Sequence, residues 1–89
     1  MRTFKVAFVQ VEAIEVTLIT VDKQYIGQDE QLTKYFYAFK KYTERDHIVL
    51  FMVDELQRPA YFGMREDVEL IREMNWREMP WEDFTINAP

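Results

Sequence analysis

Apolar residues follow two different periods along this chain. From Phe4 to Val11 they fall on both parities, with Phe4, Val6 and Phe8 on one side and Ala7, Val9 and Val11 on the other. Such a run suits a strand covered on both faces. Ile14 to Val21 is again β-branched, with Ile14, Val16 and Leu18 opposed by Thr17, Ile19 and Val21. One strand from 4 to 21 would be about 60 Å long at ~3.4 Å per residue, too long for so small a domain. The chain is therefore expected to bend between Gln10 and Ala13. No Gly, Pro, Asn or Asp marks that bend, and a short helix within 12–20 is the alternative.

The period then changes to 3.6. Over Gln28 to Thr43, Leu32, Tyr35, Phe36, Phe39, Tyr42 and Thr43 share one stripe, which predicts a helix. Asp29 and Glu30 begin it and Lys40 and Lys41 end it, in the sense that the helix dipole favours. Tyr37 lies off the stripe, beside Lys34 and Lys41. His47 to Val53 reads as a central strand, Asp54 to Arg58 as a turn, and Pro59 to Gly63 as a shorter strand closing a hairpin. Pro59 has no amide to donate, so it belongs at an edge or a strand end. Gly63 is expected to free the backbone to enter a second helix over Met64 to Met74, with Met64, Val68 and Ile71 inward. Pro80 stops any helical continuation.

The predicted order is ββαββα, followed by an aromatic C-terminal tail. That predicts an α/β domain, or α+β, with a small mixed sheet of about four strands and two helices. The strand–helix–strand step favours a parallel crossover. All 89 residues are expected to form one domain, with 75–89 packed on it or at an interface. In element order, the helix and the hairpin ending in Tyr61-Phe62-Gly63 resemble the second half of thioredoxin-like domains. The resemblance lies in topology alone. There is no Cys-x-x-Cys and no Pro before the first hairpin strand, so it implies no activity.

Composition narrows the function classes. With no cysteine, a disulfide scaffold, a thiol nucleophile and a Cys-based zinc site are excluded. No apolar run could span a bilayer as a helix, and the N-terminus lacks a signal-like apolar stretch. A cytoplasmic location without membrane contact is the expectation. The net charge of −5 lies wholly in residues 66–89, which hold seven acids against Arg72 and Arg77. Residues 1–65 balance. A surface divided by sign can steer association with a complementary partner or another copy. An isoelectric point near 4.8 disfavours nucleic acid. Two isolated glycines make no phosphate loop, and no cofactor is expected.

Two groups of residues carry candidate roles. Trp76, Met79, Trp81 and Phe84 crowd into an acidic segment, and large aromatics either fill a core or anchor an interface. Tyr37, Lys34 and Lys41 join them as interface candidates. The second group is polar: Asp46, His47, Asp54, Glu55 and Arg58. A lone histidine without a partner at ligand spacing predicts no metal site. Asp54 and Glu55 are read as turn residues, and His47 as a polar strand start. The function expected is that of a small acidic interaction or regulatory module, working by protein–protein contact and self-associating as a homodimer. One alternative is an acidic inhibitor that blocks a basic site on an enzyme or nucleic-acid-binding protein. The other is a small oligomeric enzyme using His47 with nearby carboxylates.

Overall fold

A computed structural model describes the backbone of residues 2–86 and the side chains of residues 3–85. The elements are β1 (Arg2–Val11), β2 (Ile14–Thr20), α1 (Asp29–Thr43), β3 (Ile48–Val53), β4 (Pro59–Gly63), α2 (Arg65–Ile71) and β5 (Trp81–Ile86). They form one five-stranded mixed sheet in the order β4-β3-β2-β1-β5. β2 and β3 are parallel, joined through α1, and every other neighbouring pair is antiparallel.

The sheet thus has one strand more than the four expected. Residues 76–86 are not an irregular tail. A 3₁₀ turn at Trp76–Glu78 leads to β5, which pairs with β1 from Ala7↔Trp81 to Arg2↔Ile86. The adjacent acids Glu82 and Asp83 hid the alternation of Trp81, Asp83 and Thr85 against Glu82 and Phe84. The bend near residue 12 is a hairpin turn and not a helix: Val11 faces Ile14 across Glu12-Ala13. Glu12 takes the left-handed conformation there, with φ 56°, which residues other than Gly, Asn and Asp seldom adopt.

Both faces of the sheet are covered, so the strands are apolar on both parities. On one face, Val6, Ile19, Ile48, Leu50 and Met52 pack against Leu32, Phe36 and Phe39 of α1. On the other, Ala7, Val9, Val16, Leu18, Val49 and Phe51 pack against Ile71 of α2 and Met79. α2 is shorter than the helix expected over 64–74. Ile71 is inward, but Met64 is 52 % exposed, and Asp67 is buried in its place. Gly63 has a different purpose from the one expected. A Cβ there would meet the Ile48 carbonyl oxygen at 2.8 Å, so glycine permits β4 to lie close to β3.

Candidate functional site

The aromatic segment assembles around Phe51, the fourth residue of β3, a strand buried on both faces. The Phe51 ring lies 5.4 Å from Tyr61, 5.5 Å from Trp76 and 5.2 Å from Trp81. The Trp81 indole N–H donates to the Trp76 carbonyl at 2.7 Å, satisfying a polar atom in an apolar setting. Trp76 and Trp81 are half-buried and Met79 is buried. Phe84 lies on the opposite face, edge-on to Phe8 at 5.9 Å, and is likewise half-buried. These four residues therefore occupy two separate places.

Tyr37 is 62 % exposed. With Lys34 and Lys41, both exposed, it follows the 34–37–41 spacing that makes a stripe on a helix. The Lys41 ammonium lies 5.9 Å from the Tyr42 ring, and Tyr42 is also exposed. Lys34, Tyr37 and Lys41 are on the side of α1 turned away from Leu32, Phe36 and Phe39, and so away from the sheet; Tyr42, on the edge of the apolar stripe, is more exposed than the pattern predicts.

The polar candidates divide between the two ends of β3. His47 stands before the strand, and Asp54, Glu55 and Arg58 stand after it, so a six-residue strand of roughly 20 Å separates them. Asp46 is exposed. The carboxylate that meets His47 is Asp67 on α2, at 2.8 Å from Nδ1. Its side chain is only 6 % exposed, against 44 % for His47. With Glu66, Asp67 lies in the acidic first turn of α2. Its burial follows from the rotation of a short helix that the pattern placed on Met64. The Asp67 carboxylate fixes the imidazole through one nitrogen and leaves Nε2 as the other. That orients a base, and it equally ties α2 to the mouth of β3.

Asp54 organises the β3–β4 loop. Its Oδ1 accepts from the Leu56 and Arg58 amides, both at 2.9 Å, and its Oδ2 accepts from Arg58 Nε at 2.7 Å. The Arg58 amide, helped by the Arg58 guanidinium and the Leu56 amide, outweighs desolvation and holds this carboxyl below its ordinary range. Glu55 makes a solvent-facing pair with Lys23 at 3.6 Å. Between these loops, at the carboxyl ends of the parallel strands β2 and β3, lies an open hollow of about 600 Å³. Ile26 and Leu56 line it together with Asp22, Lys23 and Arg58. A further ion pair, absent from the sequence reading, joins Arg45 to Glu15, with the Arg45 guanidinium 4.4 Å from the Phe8 ring. Among the described residues no group of three His, Cys, Asp or Glu is placed to hold a metal ion. Among the same residues no helix is long and apolar enough to cross a membrane.

Fold and surface together define a three-layer α/β domain, with Lys34, Tyr37 and Lys41 exposed on the helix that covers one face of the sheet. Comparison of the chain with family models, curated proteins and solved structures found no match.

Proposed function

We propose that the protein is a contact module, acting by protein–protein association through the outer side of α1. The observation that carries this reading is Tyr37. It stands open between Lys34 and Lys41, while the tryptophans that could have served as anchors pack around Phe51. Tyrosine presents a large contact area at low entropic cost and is enriched among residues that dominate binding. Two lysines beside it favour an acidic partner surface and speed the encounter.

The test compares capture of partners from native lysate by the full chain, by Tyr37→Ala and by Lys34→Glu/Lys41→Glu. All three positions are exposed, so each variant is expected to keep the parent circular dichroism spectrum. A partner held by the parent should be lost at least tenfold by both variants, and more readily as salt rises. If both variants retain every partner of the parent, α1 is a solvated surface and this reading fails.

A further inference from the structure

The sheet ends in two unlike edges. β5 carries Glu82 and Asp83, charges of the kind that guard an edge against pairing. β4 reads Pro-Ala-Tyr-Phe-Gly and carries none. Two hydrogen bonds on β3 establish which way the β4 peptide groups point. The Phe51 carbonyl accepts from Val21 at 2.9 Å, on the β2 side, and the Asp54 amide donates to the Arg58 carbonyl at 3.0 Å, on the β4 side. Peptide groups alternate along a strand, so Leu50 and Met52 address β4, while Val49, Phe51 and Val53 address β2. Their partners in register are Phe62, Ala60, Gly63, Tyr61 and Pro59 respectively. Ala60 and Phe62 therefore bond inward to β3. Pro59, Tyr61 and Gly63 turn their peptide groups outward, where no other described strand meets them.

From this pattern we infer that β4 pairs with β4 of a second copy, antiparallel and centred on Tyr61, to give a continuous ten-stranded sheet. The outward groups are self-complementary in this register. Each Tyr61 amide reaches the Tyr61 carbonyl of its mate, and each Gly63 amide reaches a Pro59 carbonyl. Every outward donor is satisfied, and the amide that Pro59 lacks leaves only a Gly63 carbonyl unmatched. The two-fold axis stands perpendicular to the sheet, so both α1 helices share one face and both α2 helices the other. Tyr61 meets Tyr61 as a cross-strand aromatic pair.

A second observation points to the same occupant. Two of the most exposed large apolar side chains flank this strand: Leu56 (71 %) just before it and Met64 (52 %) just after it. The two-fold sets Met64 opposite Arg58 of the mate and beside its Leu56, so each end of the ladder gains apolar cover. A foreign strand would satisfy the outward peptide groups as well but need not supply that pairing. Two five-residue strands and four apolar side chains make an interface at the small end of the range, so association is expected to depend on concentration. This inference goes beyond the α1 contact and stands independently of it.

Sedimentation velocity and amide exchange on the full chain, over about a hundredfold range of concentration, test it. The mass should rise from 10.9 kDa towards twice that value. The Tyr61 and Gly63 amides should slow at least tenfold as it does, while Ala60 and Phe62 stay equally protected throughout. Leu56→Lys/Met64→Lys, altered only at exposed positions, should remain a folded monomer. A mass that stays at the monomer value overturns the inference. So does a doubling of mass with Tyr61 and Gly63 exchange unchanged, which would mean that the copies meet elsewhere. The parent chain alone distinguishes these outcomes, and none of them alters the Tyr37 test.

Discussion

Thr17 is buried in β2, and its hydroxyl has no hydrogen-bond partner among the described residues. A buried hydroxyl without a partner costs free energy that an isosteric methyl does not. Thr17→Val is therefore expected to raise stability by about 1 kcal/mol, read as a higher urea midpoint at unchanged slope. A lower midpoint would mean that the hydroxyl is satisfied. Tyr61 has the same feature, and burial pushes its phenol above the ordinary value, against a smaller opposing pull from Arg72. At this scale the sequence is informative where a side chain has one possible fate. Phe51, Leu50 and Ile48 lie in a run that could only be core. It is uninformative where conformation departs from habit, as at Glu12, whose positive φ is imposed by the tight pairing of β1 with β2.

At the scale of elements, the β3–β4 loop depends on one carboxylate. Gln57 sits at φ 63°, an unfavourable conformation for its type, and the Asp54 side chain holds the turn through two amides and Arg58. Because Asp54 titrates lower in the folded state than an ordinary aspartate, the stabilisation it gives is present above the unfolded-state value. It is lost as pH falls through the folded value, since the unfolded chain then binds the extra proton. Asp54→Asn should melt below the parent at neutral pH, and the two melting curves should converge as the pH drops below about 4. A gap that persists in acid would place the effect of Asp54 in shape and not in charge. Hairpin and loop were legible because Pro59 and Asp54 stand at turn positions. β5 was not, because its six residues alternate weakly and become a strand only by pairing with β1.

On the scale of the whole molecule, two apolar layers share the same five strands. Phe51, Trp76 and Trp81 report on the α2 side, and Phe39 packs on the α1 side. Neither layer can lose its sheet without exposing the other, so unfolding should be a single transition. Phe39→Ala is expected to cost about 3–5 kcal/mol and to lower the urea midpoint equally by tryptophan fluorescence and by far-ultraviolet circular dichroism. A tryptophan transition left at the parent midpoint would show that the two layers come apart separately. Lys34 and Lys41 of α1 and Glu66 and Glu69 of α2 are exposed on opposite sides of the sheet, while Glu82 and Asp83 lie on its edge strand β5.

Periodicity alone determined the two buried β-branched runs, the long helix and the hairpin, because each is a local pattern that burial on one or two sides demands. Local pattern also put Trp76, Met79, Trp81 and Phe84 forward as large apolar groups needing cover. What covers them was decided in three dimensions. The pairing of β5 with β1 turns successive side chains to opposite faces, sending Trp81 to Phe51 and Phe84 to Phe8. The meeting of His47 with Asp67 and the outward peptide groups of β4 were likewise decided there. All three depend on contacts between residues far apart in the chain, and no short window of sequence records which distant strand or helix will arrive.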